Sequence, residues 1–420
     1  MKLKSFTLAL ICGGLGFATV SCDKEEVAAT ANPKTGLKAG ATSQMVIGEG
    51  NLKLDKTTLA ASKFDCSFGA FGNAVLDPSL ANAVVKSPCG PTPFNYALSP
   101  YVAQFGDLEW EWYDLMATIA QYYTYFDTSA QYFGADGSLT NFADKHKRNL
   151  ESFWNMPGEI TLKGQHTKTL QNRDAIAAVY INATTATTAE AYENADYLIE
   201  NVIKPSTAFQ NSPLLSLDGF ATTGKMIVIG DGIVQIMTDA GVDRNVTFAG
   251  ILGHEWAHQV QFKNYTQWYG PRVNTAEQTR KTELEADVFS SYYLTHKRGA
   301  TYNWKSAAEF FELFYNIGDC SFTSTGHHGT PNQRLAASRL GWIIAQEVKP
   351  MGHILSANDM HSLFMAALNN IIENKIDSSA AFASLKDAQL KAVYGNVLQH
   401  EKELKSIMNG ELSQEAIENL

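Results

Sequence analysis

The sequence feature that most constrains this chain of 420 residues is a pair of histidines four positions apart, in the segment His254-Glu255-Trp256-Ala257-His258. In an α-helix, residues i and i+4 lie on the same face, so both imidazoles can bind one metal ion. The acid between them, Glu255, can then act as the general base for a water molecule. The flanking residues are uncharged, which favours a buried helix beneath a cleft. We therefore predict His254 and His258 as Zn²⁺ ligands and Glu255 as a catalytic residue.

A second motif can supply the third ligand that a catalytic zinc site usually takes from the protein. The segment Glu283-Leu284-Glu285-Ala286-Asp287 begins 25 residues after His258 and also has helical spacing. We predict that Glu283 binds the metal. Asp287, one turn later on the same face, is expected to accept an N–H from a ligand histidine and to fix its tautomer. Glu285 points to the other side of the helix and is the weaker ligand candidate.

Together, the two motifs resemble those of the gluzincins, in particular the neutral zinc metallopeptidases and the HtpX and CAAX-prenyl endopeptidases. A segment similar to one that these families carry downstream reads His328-Gly329-Thr330-Pro331-Asn332-Gln333-Arg334, and residues 226–230 stand where they have an apolar edge strand. The resemblance covers about residues 221–345. It implies that His328 stabilises the oxyanion or binds substrate, that Arg334 anchors the segment, and that residues 226–230 pair with an extended peptide. The alternative for His328 is a polar loop without a role in the site.

The N-terminus has the pattern of a targeting segment that ends before Cys22. Lys2 and Lys4 precede an apolar stretch over residues 6–20, which is short for a membrane span of about 20 residues. Small residues before Cys22 resemble a bacterial lipobox, which implies lipidation of Cys22. The segment Asp23-Lys24-Glu25-Glu26 resembles a signal for the outer face of the outer membrane. We expect a protein of the bacterial cell envelope, anchored by lipid to the outer membrane and surface-exposed; a plain secretory signal and a solvated charge run are the alternatives.

These patterns predict an α+β fold that is helix-dominated, with a zincin-like catalytic domain and a small sheet before the helix of the histidine pair. We divide the chain into a signal peptide (1–21), a lipidated flexible tether (22–45), a mostly helical N-terminal region of unknown function (46–220) and a zinc metallopeptidase domain (221–420), which can be continuous with residues 100–220. Apolar spacing predicts a strand over residues 225–230 and helices over 106–132, 174–180, 188–203, 245–263, 276–298, 307–315, 331–348, 358–374 and 380–407.

Charge and composition limit the partners. The net charge of −10 lacks the basic field of a nucleic-acid-binding protein, so no nucleic-acid partner is expected. The expected partners are a protein or peptide substrate and, through the N-terminal lipid, a membrane. Two other functions stay open: a non-catalytic lipoprotein that holds a structural zinc, and a zinc hydrolase that acts on a cell-wall amide.

Three cysteines remain after the signal and Cys22 are set aside: Cys66, Cys89 and Cys320. Outside the cytoplasm disulfides are permitted, and a Cys66–Cys89 bridge with Cys320 free is one arrangement. The sequence alone does not fix this pairing.

Overall fold

The computed structural model describes residues 67–68, 93–271, 273, 275–315 and 329–420. The predicted signal peptide, the lipidation site Cys22 and the tether lie outside the described residues. The same holds for the three cysteines after Cys22 and for His328.

Helices dominate the described residues. In chain order they are α1 (Pro93–Val102), α2 (Asp107–Phe126), α3 (Thr140–Phe153), α4 (Arg173–Ala183), α5 (Thr188–Leu198), α6 (Thr207–Asn211), α7 (Asp231–Asp239), α8 (Arg244–Tyr269), α9 (Ala276–Thr295), α10 (Trp304–Tyr315), α11 (Pro331–Glu347), α12 (Ala357–Ala367), α13 (Ser378–Ser384), α14 (Ala388–Val397), α15 (Glu401–Met408) and α16 (Gln414–Glu418). Single 3₁₀ or π turns lie at Thr167–Gln171, Ile199–Ile203, Pro213–Ser216, Leu368–Ile372 and Leu398–His400. The prediction of a helix-dominated α+β fold is confirmed. Within this part of the chain, no helix is both long and apolar enough to cross a membrane.

One small sheet precedes α8. Its strands are β1 (Ser67–Phe68), β2 (Thr161–Gln165), β3 (Gly219–Thr222) and β4 (Met226–Gly230). Their order in the sheet is β1-β3-β4-β2, with β4 parallel to β2 and antiparallel to β3. The expectation that residues 226–230 form an edge strand and pair with a peptide is therefore wrong, because both edges of β4 are already paired. All five β4 residues are buried, as expected of an apolar run inside a sheet.

The sheet joins the two regions that the sequence suggested. β2 comes from the N-terminal region and pairs with β4 along its whole length, from Thr161 opposite Met226 to Gln165 opposite Gly230. The boundary after residue 220 falls inside β3. One hydrophobic core also includes residues from both sides of that boundary, among them Met116. Residues 93–220 thus contribute a strand and core residues to the part of the fold that carries the site.

Helix α8, which carries the histidine pair, is longer than predicted. It begins at Arg244 because the carboxylate of Asp243 accepts hydrogen bonds from the backbone N–H groups of Asn245 and Val246. Asp243 is therefore the N-cap of the helix. Gln259 ties the helix to the β3–β4 hairpin through the carbonyls of Thr222 and Met226, at 2.9 and 3.0 Å. The uncharged residues that flank the histidine pair are buried, as expected.

Helix α9 lies between α8 and α11 at very short range. A Cβ on Gly253 of α8 would meet Ser290 Oγ of α9 at 3.0 Å, and a Cβ on Gly341 of α11 would meet the Val288 carbonyl oxygen at 2.3 Å. Both glycines therefore allow an approach that a side chain would block. This packing brings the acidic motif of α9 against the histidines of α8.

Two predictions of helices need correction. The helix expected over residues 380–407 is broken, because Asp387 caps a new helix through Gln389 N and Leu390 N. Residues 93–102 form α1, which lies outside the helices that the apolar spacing predicted. Helices α3 and α7 and strands β2 and β3 were not predicted. Each is short or polar, so its apolar pattern is weak in sequence.

Candidate metal centre

The three predicted ligands converge. Nε2 of His254 lies 3.1 Å from Nε2 of His258, and the two nitrogens lie 3.3 and 3.4 Å from the carboxylate oxygens of Glu283. All three side chains are fully buried. Among the described residues, they form a group able to hold a metal ion, with their ligand atoms within 4.8 Å of one another.

The spacing of these atoms fits zinc. Ligands about 2.0–2.2 Å from a tetrahedral zinc ion lie about 3.3–3.6 Å from each other. The separations of 3.1, 3.3 and 3.4 Å in the structure are close to that range. Two imidazoles with one carboxylate are also a donor set that catalytic zinc sites use. The residues present therefore fit the metal that the motifs predict.

His254 is supported from behind by an ion pair. Its Nδ1 lies 3.1 Å from Oδ1 of Asp287, the residue predicted for this role. Arg334 of α11 donates to both oxygens of Asp287, at 2.8 and 2.9 Å, and its guanidinium lies 3.6 Å from Glu283. Arg334 is itself buried. It thus anchors its segment to α9, in the bidentate geometry that favours arginine over lysine.

The centre holds an excess of buried negative charge. The carboxylates of Glu255, Glu283 and Asp287 are fully buried, with Arg334 as the buried cation that the structure places beside them. Burial lowers the pKa of His254, but the facing Asp287 and Glu283 outweigh it and raise that pKa to about 9. A divalent cation held by these side chains would balance part of this negative charge.

Glu255 lies beside this cluster with its carboxylate buried. Neither of its oxygens has a hydrogen-bond partner among the described residues. Burial raises its pKa well above the usual value, opposed by His254 and Arg334 and reinforced by Glu283. An unpartnered buried carboxylate is costly for folding, so it marks a group kept for a purpose other than stability.

His258 is supported by a neutral side chain. Its Nδ1 lies 2.8 Å from Oε1 of Gln261, one turn further along α8. The amide nitrogen of Gln261 donates to the Thr282 carbonyl at 2.8 Å and to Oε2 of Glu285 at 3.0 Å. The ligand histidines are thus held by different chemistry, one by a carboxylate and the other by an amide.

Glu285 faces away from the ligand atoms. Tyr269 donates a short hydrogen bond to its Oε2, and Nδ1 of His361 lies 2.6 Å from its Oε1. The His361 ring stacks on Trp268, with centroids 4.4 Å apart and planes 6° apart. Since its oxygens are engaged here, Glu285 is a member of the support of His258 and not of the ligand group.

The sequence missed part of this centre. Gln261 was not singled out, although its i+3 spacing from His258 places the two side chains on one helix face. His361 was not singled out either, because its approach to Glu285 depends on the packing of α12, which no local pattern reveals. The pairing of Arg334 with Asp287 likewise joins residues 47 positions apart.

Comparison with known proteins adds no assignment. The chain matches no protein-family model, and no curated protein or solved structure is detectably similar to it. The geometry of the centre and the sequence motifs are therefore what indicates a function for this chain.

Proposed function

We propose that this chain is a zinc-dependent peptidase of the gluzincin type, with a zincin-like catalytic domain that hydrolyses peptide bonds in protein or peptide substrates. The observation that carries the proposal is the convergence of His254, His258 and Glu283 at zinc-ligand spacing, with the buried carboxylate of Glu255 beside them. A three-residue donor set leaves a coordination position for substrate chemistry, as catalytic zinc sites do.

The chain's own residues have separate roles in the proposed hydrolysis. Zinc held by His254, His258 and Glu283 would supply Lewis-acid chemistry toward a carbonyl oxygen and a water molecule. Glu255 accepts the proton of the attacking water and delivers it to the leaving amine. Asp287 and Gln261 hold the two imidazoles in the orientation that presents Nε2 to the metal. His328, whose role comes from the sequence resemblance alone, is the proposed donor to the oxyanion.

The geometry favours this function over a closed structural zinc site. A structural site needs a fourth protein ligand. Asp287 and His328 are the two candidates, and His328 lies outside the described residues. Both oxygens of Asp287 accept from Arg334, and Oδ1 also faces Nδ1 of His254. Asp287 therefore lies behind the ligand rather than at the metal. A cell-wall amide would need the same chemistry and differs from a peptide only in the substrate assayed.

Substitution of Glu255 separates chemistry from metal binding. Glu255→Gln keeps the shape and all three ligands, so bound zinc should stay at about one ion per chain while hydrolysis of casein falls by about 10²–10⁴-fold. Glu283→Gln should lose zinc and activity together, because a neutral amide is a weak zinc ligand. Elemental analysis and a casein assay, with purified cell wall as a second substrate, provide the measurements. A parent protein without zinc after reconstitution, or full proteolysis by Glu255→Gln, would refute the proposal.

The N-terminal sequence supports a further element, a lipid anchor on Cys22 at the outer membrane of a bacterial envelope. Cys22→Ala should move the protein from the membrane fraction to the soluble fraction, because it removes the thiol that carries the lipid. Cys12→Ala, inside the predicted signal, is the matched control and should leave fractionation unchanged. If Cys22→Ala still sediments with membranes after a salt wash, the anchor lies elsewhere.

A further inference from the structure

The contacts of Gln261 fix which way its amide points. Its nitrogen lies 2.8 Å from the carbonyl oxygen of Thr282 and 3.0 Å from Oε2 of Glu285. A carbonyl and a carboxylate only accept, so the NH₂ group must lie on that side. A flipped amide would set its own oxygen against two acceptors. The oxygen of Gln261 therefore faces His258.

This orientation determines the tautomer of His258. The amide oxygen of Gln261 can only accept, and it lies 2.8 Å from Nδ1 of His258. Nδ1 must then carry the proton and donate it. The lone pair is left on Nε2, which is the nitrogen that lies 3.4 Å from Glu283. Gln261 thus selects the form of His258 that can bind a metal.

The amide of Gln261 is itself held by a buried carboxylate. Glu285 is fully buried and accepts from Gln261, Tyr269 and His361. An ionised carboxylate is the strongest acceptor available for the amide N–H. His361 stacks on Trp268 of α8, so the group that secures Glu285 is itself packed against the helix of the motif.

We propose that Gln261 is a positioning residue for zinc binding: it locks His258 in the Nδ1-protonated tautomer, and Glu285 keeps the Gln261 amide in the orientation that does so. This inference rests on the function proposed above for the metal site. It assigns a role to Gln261, which lies outside both motifs, and to Glu285, which the acidic motif contains but which does not face the ligand atoms.

Zinc affinity and ligand geometry test the role of Gln261. In purified full-length chain, Gln261→Met keeps the size of the side chain and removes its hydrogen bonds. Zinc affinity, measured by competition with a chelator, should fall by about 10–100-fold, as for other residues behind a metal ligand. The visible absorption of the Co²⁺-substituted chain should also change, because His258 is free to rotate or to present the other nitrogen.

A second buried amide on the same helix gives the matched control. Gln259 is as buried as Gln261, but its amide donates to the carbonyls of Thr222 and Met226 and not to a histidine. Gln259→Met should therefore lower the melting temperature without changing the zinc affinity or the Co²⁺ spectrum. If the two variants lose zinc affinity equally, Gln261 acts only through stability and the proposal is overturned.

A double-mutant cycle tests whether Glu285 acts through Gln261. Glu285→Gln should weaken zinc binding less than Gln261→Met does, and the double variant should lose no more than Gln261→Met alone. Additive losses would show that Glu285 acts on the metal independently. The outcomes separate this inference from the proposed function: a parent chain that binds no zinc refutes the function, whereas a parent that binds zinc with the same affinity as Gln261→Met refutes only the role of Gln261.

Discussion

Each predicted ligand histidine has a support, meaning the side chains that contact its Nδ1 and the groups that hold them. The two supports differ in charge and in the helices from which they come. Behind His254, the carboxylate of Asp287 on α9 is clamped by the buried guanidinium of Arg334 on α11. Behind His258, the neutral amide of Gln261 belongs to the same helix as the histidine. The first support places charged groups from two other helices directly behind the histidine, whereas in the second the group that contacts the histidine is a neutral side chain of the same helix, held in turn by Glu285 of α9.

The two supports therefore differ in the property of the protein that is lost when each is broken. A buried ion pair contributes little net stability while it is complete, but breaking it leaves a buried charge without a partner. A neutral amide leaves only an unsatisfied polar group, which costs about 1–3 kcal/mol. Damage behind His254 should therefore lower folding stability as well as zinc affinity, and damage behind His258 should lower mainly zinc affinity.

The largest effect on stability is expected when Arg334, the cation of the support behind His254, is replaced. Arg334→Met leaves Asp287 buried without its bidentate partner, so the free energy of unfolding should fall by about 3–5 kcal/mol. Chemical denaturation of the metal-free chain measures this loss. Arg339, on the same helix, is equally buried but lies between Trp304 and Trp342 and donates to Glu403.

Arg339→Met is thus the matched control, and it should lower stability without changing zinc affinity. A difference of under about 1 kcal/mol between Arg334→Met and the parent would show that the ion pair is not the structural support that the comparison makes it.

The gain in the free energy of unfolding on zinc binding gives a second test of the difference between the supports. Zinc at about 100 times its dissociation constant should raise the free energy of unfolding of the parent by about 2.7 kcal/mol. At the same zinc concentration, Gln261→Met should lose about 1.3–2.3 kcal/mol of this gain if its affinity is about 10–100-fold lower. Thermal unfolding with and without zinc gives both values. An equal gain in the two chains would remove the distinction between the supports.

The sequence was sufficient for the parts of the molecule that rest on local spacing. His254, His258 and Glu283 were each predicted as ligands from i, i+4 patterns within a helix, and the structure brings them together as a group that could hold a metal ion. The buried apolar run of β4 was also recognised. Its place in the sheet was not, because pairing with β2 is a long-range contact that depends on the course of the chain between them.

In the supports of the histidines, too, the local features were predicted from the sequence and the long-range contacts were not. Asp287 shares a helix face with Glu283 and was predicted to lie behind a ligand. Its clamp by Arg334 and the contact of Glu285 with His361 connect residues 47 and 76 positions apart. Such contacts are set by the packing of α9 against α11 and α12, and a single sequence carries no local signal for them.

Neutralising Asp287 tests whether charge is what distinguishes the support of His254. Asp287→Asn keeps the shape and an acceptor oxygen but removes the negative charge that faces the imidazole. Zinc affinity should fall by about 10–100-fold, because the histidine becomes a less basic ligand. Asp239→Asn, at an exposed position, is the control and should leave the affinity unchanged. Retention of parental affinity by Asp287→Asn would mean that the charge plays no part and that both supports act only by geometry.

The smallest effect is expected at the outer end of the neutral support. His361→Phe removes the Nδ1 contact with Glu285 but keeps an aromatic ring that can stack on Trp268. Glu285 still accepts from Tyr269 and Gln261, so the Gln261 amide keeps its orientation. Zinc affinity should therefore fall by less than about 10-fold, below the range expected for a residue that contacts the ligand directly.

The control for this variant is a buried histidine on the far side of α9. His296 lies near the end of that helix, 3.1 Å from the His353 carbonyl oxygen, and has no contact with the Glu285 group among the described residues. His296→Phe should leave zinc affinity at the parental value, as measured by chelator competition. If His361→Phe instead weakened zinc as strongly as Asp287→Asn, the neutral support would depend on its outermost member. Its effect would then reach the metal across three side chains, and the contrast between a local and a long-range support would not hold.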